Sequence, residues 1–365
     1  MFEISWIQTK IMDMATKIVP STTLDRLVIE RRRRINKITG YYPHAFFLAK
    51  EKSDKKYCVV RYSFPNMALI AAGIQYIFCY QQLAERGYIP IIDIENDFSF
   101  KQGRVGEHNI WDVCFKQPIS AVEAAKKPYV LVTGELFSYS DDPRICLDLN
   151  GDSEDHYVHV RKKNFREYYA KANKYTEPIW QVKDEILAEL DEEIWNKVCG
   201  HRVLGVFLRE DFSKDVSHKG EPDEAIYRNH PLLPGVKEVI EIIRTQLNAW
   251  KYDFIFLSTV YQDSVEKFKE AFGNKVIYIE RDRALINDEP SYFSMNEREV
   301  YEDHQANLAY YENKSKTYLK EIIALSRCNY LIGGPSSGMA AALVMNGGKY
   351  DDIFILEDAR EIKRY

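Results

Sequence analysis

An arginine closes one apolar run of this chain, and a pair of serines opens the helix that follows another. The first run, Val203-Leu204-Gly205-Val206-Phe207-Leu208, ends in Arg209-Glu210-Asp211. The second, Tyr330-Leu331-Ile332, passes through Gly333-Gly334-Pro335 to Ser336-Ser337-Gly338 and then Met339-Ala340-Ala341-Ala342. A guanidinium at the carboxyl end of a buried strand can hold a pyrophosphate with two parallel hydrogen bonds. A salt bridge to Asp211 is the alternative reading of Arg209. The glycines let the second backbone turn sharply and stay uncluttered. Ser336 or Ser337 can then cap a helix whose first N–H groups point outward, where free donors and the positive end of the dipole coincide and suit a phosphate.

Other residues stand in comparable places. Thr259 follows the apolar run Phe254-Ile255-Phe256-Leu257-Ser258 and can hydrogen-bond a base, ribose or phosphate, or cap the local turn. Glu321 lies among Leu319, Ile322 and Ile323, within reach of a ribose hydroxyl or the glycine loop, or else on a solvated face. His230, before Pro231, is a candidate base or a loop anchor.

The elements that must position these residues alternate. Short apolar strands are expected at Cys58–Val60, Ile89–Ile94 and Tyr129–Val132, with a helix over Leu69–Arg86 closed by Gly87. After a charged helical stretch over 164–196, strands are expected at Val203–Leu208, Asp253–Leu257, Val276–Ile279, Tyr330–Ile332 and Ile353–Leu356. Helices fall between them at Val236–Trp250, Ser264–Phe272, Thr317–Arg327 and Ser337–Met345, the second opening on a capping-box pattern, Asp263-Ser264-Val265-Glu266. Such alternation predicts parallel sheets covered on both faces, with ligands at the carboxyl ends of the strands. The expected fold class is α/β: two Rossmann-type, doubly wound parallel-sheet domains facing a cleft. The expected division is a basic helical segment 1–56, an N-terminal Rossmann-like acceptor-side domain with a helical bridge 57–200, and a C-terminal nucleotide-sugar-binding domain 201–365.

Composition narrows the function classes. The 365 residues carry a formal net charge of −5, which argues against a nucleic-acid partner. No apolar run approaches the about 20 residues of a membrane span, and no secretory signal is visible at the N-terminus. The six cysteines are scattered without a CxxC pair, as expected of free thiols in a reducing cytoplasm. The expected location is therefore cytoplasmic. Arg31-Arg32-Arg33-Arg34 follows a segment with Ile7, Ile11, Met14 and Ile18 at amphipathic spacing. It reads as a solvated helix face or as peripheral contact of residues 1–40 with anionic lipid at the inner face of the plasma membrane.

Taken in order, VLGVFLRED, HPLLP, FIFLST with VEKFKEAFG, and YLKEIIALSRCNYLIGGPSSGMAAALVMNGG resemble the motifs of the α1,6-/O-fucosyltransferase superfamily. The likeness is to its bacterial members of capsule and exopolysaccharide synthesis. The segment Gln82-Leu83-Ala84-Glu85-Arg86-Gly87-Tyr88-Ile89-Pro90-Ile91-Ile92-Asp93 joins in, so the resemblance runs from about residue 57 onward. It implies a GT-B glycosyltransferase that needs neither metal nor cofactor and takes a nucleotide sugar, a GDP-sugar first, to a glycan or lipid-linked oligosaccharide acceptor. Carried over, Arg209 matches the arginine that binds the β-phosphate, and Ser336, Ser337 and Gly338 match the phosphate-binding turn. Glu321 falls where an Asp stands near the nucleotide, and His230-Pro231 match a His-Pro pair. The implied catalytic residues are Arg209, Asp211 and His230; Thr259, Glu321, Ser336, Ser337 and Gly338 join Arg209 at the nucleotide sugar. The sequence departs from the pattern at Phe207 (usually His), at Glu210 (usually Arg), at Val260-Tyr261 (usually acidic) and at Phe64-Pro65-Asn66-Met67-Ala68 (usually a Gly-rich loop).

Three other readings compete. Asp93-Ile94-Glu95 could chelate a divalent cation in a GT-A-like enzyme. A pyruvyl-type transferase could use the same scaffold. A catalytically degenerate domain could bind a nucleotide sugar or glycan within a polysaccharide assembly system.

Overall fold

The computed structural model describes residues 56–64, 87–96, 105–126, 130–133, 165–209, 233–281, 283, 304–334 and 336–356. The basic run Arg31–Arg34, the expected helix Leu69–Arg86, and the site candidates Asp211 and His230 lie outside them. The chain divides into two compact units, the first running to Gly151 and the second from Asp152 to the C-terminus, with residues 112–116 and 68–78 assigned to the second.

In the first unit, β1 (Lys56–Phe64) pairs in parallel with β2 (Tyr88–Asn96). Further along the chain, a short helix α1 (Trp111–Cys114) and β3 (Phe115–Lys116), of which residues 112–116 belong to the second unit, precede α2 (Ala121–Lys126). β4 (Val130–Thr133) then pairs in parallel with the other side of β1, giving the order β2-β1-β4. Tyr57, Val59 and Ile91 pack with Ala121 and Ala124 of α2.

In the second unit, α3 (Phe165–Thr176) is followed by β5 (Gln181–Val182), which pairs antiparallel with β3, and by α4 (Asp184–Leu190). α4 runs on through a π-helical turn at Asp191–Trp195. The main sheet is built by β6 (Val203–Phe207), α5 (Val236–Thr245), β7 (Phe254–Ser258), α6 (Gln262–Phe272) and β8 (Val276–Ile277). A long helix α7 (His304–Arg327) leads to β9 (Tyr330–Gly333), α8 (Ser337–Asn346) and β10 (Asp352–Ile355). Every pairing in the five-stranded sheet is parallel, in the order β10-β9-β6-β7-β8.

Both faces of this sheet are covered, as the unbroken apolar strands predict. All five residues of β6 are buried. Leu204, Val206 and Leu208 pack on Val236, Val239, Ile240 and Ile243 of α5 and on Val265 and Phe268 of α6. On the opposite face, a side chain at Gly205 would meet Cys328, Leu325 and Leu331 at 3.1–3.2 Å, so the end of α7 lies directly against β6. α8 is apolar all round and buried from Gly338 through Val344, which suits an internal helix.

Among the described residues, strand and helix positions match expectation to within about five residues, with three differences of substance. The helical stretch expected over 164–196 is broken by β5 at Gln181–Val182. α7 begins at His304 rather than Thr317; its first half carries good helix formers without a strong apolar stripe, so periodicity alone misses it. The Asp263–Glu266 capping box does not form. α6 starts at Gln262, with Tyr261 at the N-cap in an extended conformation and no side-chain cap, while Ser264 is buried inside the helix.

Candidate functional site

Strand order in the five-stranded sheet reverses between β6 and β9. From β6 the chain adds β7 and β8 outward on one side, then returns to lay β9 and β10 on the other. Such a reversal leaves a crevice at the carboxyl ends of the two central strands. Phe207 and Gly333 are register partners at those ends. Arg209 leaves β6 just beyond Phe207, and the loop to Ser336 leaves β9 just beyond Gly333, so the two sequence features flank the reversal.

Ser336 caps α8. Its backbone is extended at φ −155° and ψ 164°, and its Oγ accepts the Met339 N–H at 3.2 Å. The N–H groups of Ser337 and Gly338 precede this capped donor. They are the orphan donors of the first turn, aligned with the positive end of the helix dipole. Arg209 is partly buried.

The glycines serve close approach rather than an unusual backbone. None of Gly333, Gly334 or Gly338 has a positive φ. A Cβ on Gly334 would run into the Leu233 side chain. One on Gly338 would strike the Tyr318 hydroxyl and come within 2.6 Å of Phe207 Cζ. Phe207 thus fills the space beside the helix start and is itself buried.

Thr259 and Glu321 belong to a buried polar cluster at the next strand ends. Glu321 is 1% exposed; it accepts a hydrogen bond from Ser258 Oγ at 3.0 Å and pairs with Arg281 Nε at 3.1 Å. Burial raises the pKa of its carboxyl, while the charge of Arg281 and the Ser258 hydrogen bond oppose that rise. Thr259 Oγ1 accepts the Tyr261 N–H at 3.2 Å, closing the turn before α6, and its carbonyl accepts from Arg281 Nη2 at 2.6 Å. Arg283 Nη2 donates to the Ile279 carbonyl at 2.6 Å, and its guanidinium stands 4.9 Å from the centre of the Tyr278 ring. Arg281 and Arg283 were not among the sequence candidates. They follow a two-residue edge strand without helical or strand periodicity, and only the pairing of β8 with β7 brings them to the same edge.

The carboxylates of the Asp93-Ile94-Glu95 pattern are spent within the first unit. Asp93 and Arg61, register partners on β2 and β1, form a buried ion pair at 2.7 Å with both side chains at 0% exposure. Asp93 also accepts the Gly106 N–H at 3.1 Å, and Glu95 the His108 N–H at 2.9 Å. Asn109 completes the arrangement, accepting from the Ile94 N–H and donating to the Ile92 carbonyl. This network ties the loop 105–110 to β2. Burial, with the Asp93 charge beside it, pushes the Glu95 carboxyl up to about 10. Among the described residues no group of three or more His, Cys, Asp or Glu side chains is arranged to hold a metal ion. No described helix is long and apolar enough to cross a membrane.

No family model matches the chain. No curated protein is significantly similar to it in sequence. Among solved structures it is similar to NodZ alpha-1,6-fucosyltransferase co-crystallized with GDP, at 12% identity and a TM-score of 0.44, over 80% of this chain and 92% of that one. Fucosyltransferase NodZ from Bradyrhizobium scores 0.43 at 13% identity over 80% and 92% of the two chains. POFUT1 in its apo form scores 0.42 at 9% identity over 84% and 99%. At these identities and scores the likeness assigns no residue and no activity to this chain.

Proposed function

We propose that the protein is a glycosyltransferase that binds a nucleotide-sugar donor at the carboxyl edge of its five-stranded sheet. The observation that carries this reading is the reversal of strand order between β6 and β9, with Arg209 on one side and the Ser336-capped helix start on the other. The order of sequence motifs supports the same assignment. A guanidinium and an open helix N-terminus together suit a diphosphate leaving group better than any neutral ligand.

In the reaction, an acceptor hydroxyl attacks the anomeric carbon from the face opposite the diphosphate. The bond to the diphosphate oxygen breaks and its electron pair departs with the phosphate. Arg209 and the Ser337 and Gly338 N–H groups stabilise the charge that develops there. The acceptor proton passes to a base, for which Asp211 and His230, next to the site in sequence, are the candidates. A GDP-sugar is the first donor to test and a glycan or lipid-linked oligosaccharide the acceptor class, with residues 1–40 providing contact with the membrane face. Thr259 and Glu321 act on the donor through the turn and the arginine that they hold.

The test is calorimetric titration with GDP-, UDP-, dTDP- and CMP-sugars, followed by a transfer assay. One nucleotide class is expected to bind, and Arg209→Ala to weaken it by about tenfold or more. Binding unchanged in Arg209→Ala refutes the phosphate site. Tight binding without transfer or hydrolysis, over a broad acceptor panel, refutes the enzyme and leaves a nucleotide-sugar-binding module.

A further inference from the structure

Beyond the Arg209 side of the crevice, the same sheet edge carries two further arginines. Arg281 and Arg283 both emerge after β8, and both are partly buried. Among the described residues the buried carboxylate beside them is Glu321, which pairs with Arg281, while Glu280 is exposed. Arg283 has no carboxylate within ion-pair distance among the described residues. Its hydrogen bonds go to the Ile279 carbonyl and, at 3.4 Å, to the Arg281 carbonyl. Its Nε is buried without a hydrogen-bond partner.

Other arginines of this unit are treated differently. Arg202 meets Asp351 at 2.6 Å and Arg327 meets Asp191 at 2.5 Å, both at exposed positions where water already screens the charge. Arg283 is the more buried cation; among the described residues its guanidinium meets backbone carbonyls and the Tyr278 ring but no carboxylate at ion-pair distance. Desolvation, together with the neighbouring charge of Arg281, lowers its pKa; Glu321, Glu280 and Tyr278 act in the opposite sense without overcoming that shift. Burying a charge costs free energy that a counter-charge offsets. Two backbone carbonyls accept from Arg283 and leave the guanidinium further N–H donors with which an anion can bond.

We propose that Arg283, with Arg281 behind it, is a phosphate-binding site at the carboxyl end of β8. This rests on the reading that a nucleotide sugar lies along the same edge, and it adds a contact that reading does not contain. Neighbouring strands are about 4.8 Å apart, so β8 stands about 10 Å from β6. Two sources of phosphate fit that spacing: the far end of the donor diphosphate, or the phosphate of a lipid-linked acceptor.

Inorganic pyrophosphate and a nucleoside diphosphate, titrated calorimetrically into wild type, Arg283→Gln, Arg209→Ala and the double variant, decide the matter. Arg283→Gln is expected to weaken pyrophosphate by about tenfold. Arg283→Lys, which keeps the charge but loses the planar fork, is expected to weaken it severalfold and serves if the Gln variant does not fold. Strong non-additivity with Arg209→Ala means that both arginines hold one diphosphate. Additive losses mean a separate phosphate, with simple phosphate monoesters then competing only at Arg283. If pyrophosphate binding is lost in Arg209→Ala but unchanged in both Arg283 variants, this proposal falls and the nucleotide-sugar reading stands. If neither arginine matters, or wild type binds neither probe, both fall.

Discussion

Phe207 and Gly338 touch across the reversal of strand order: the ring of Phe207, ending β6, occupies the space that a side chain at 338 would need. The helix start is therefore set against the strand by bulk on one partner and its absence on the other. Gly338→Ala should cost about 1–3 kcal/mol through overpacking. Phe207→Leu in the same chain should return part of that loss. Urea denaturation of the two single variants and the double variant measures the coupling, and strictly additive losses would show that the contact does not set the spacing.

Ser336 separates capping from ligand binding. Ser336→Ala removes the acceptor for the Met339 N–H and should destabilise by about 1 kcal/mol, whereas Ser336→Gly should cost only a few tenths. If the hydroxyl also meets phosphate, the Gly variant keeps its stability but loses nucleotide affinity. Thermal melts beside calorimetric titration make the comparison.

The ion pair between Arg61 and Asp93 has no exposure to water. Asp93→Ala leaves a buried guanidinium uncompensated and should destabilise by about 3–5 kcal/mol. Replacing both partners with apolar residues of similar volume should cost much less. Equal losses in the single and double replacements, read from denaturant midpoints, would contradict this.

Glu95 makes the first unit sensitive to alkali. Its folded pKa is raised to about 10 from the ordinary carboxyl value of 4.5, so between those values the folded state holds a proton that the unfolded state has lost. The contribution is complete below the unfolded pKa and declines as pH rises toward the folded one, by up to about 1.4 kcal/mol per pH unit. Glu95→Gln resembles the protonated form and should flatten the dependence, gaining on wild type from pH 6 to pH 9. Parallel melting curves for the two proteins across that range would refute the assignment.

Much of the fold was legible because a parallel strand is a short apolar block between amphipathic helices, a pattern visible without partners. Val203–Phe207 and Tyr330–Gly333 are of this kind. The functional edge was legible only in part. Glu321 falls off the stripe of Leu319, Ile322 and Ile323, so its sequence reads equally as a ligand contact or a solvated face. α7 is buried all round there, and the carboxylate is enclosed with Ser258 and Arg281. Pairings such as Arg61 with Asp93, or the arrival of Arg281 beside Thr259, depend on strand register, which local spacing does not encode. The glycines of 333–338 read as a sharp, uncluttered turn; none has a positive φ, and the neighbours Leu233, Phe207 and Tyr318 show that it is the lack of clutter that requires them.

The neutral carboxyl of Glu95 also changes how the molecule is counted as an electrolyte. The formal charge of −5 treats that group as ionised, so the folded chain near neutrality is less negative by one from this residue alone. Unfolding then hands a proton to the solvent, and the heat absorbed on melting includes the heat with which the buffer takes it up. Calorimetric enthalpies measured in phosphate and in Tris will differ for this protein by the contrast in their ionisation heats, even where the midpoint temperatures agree.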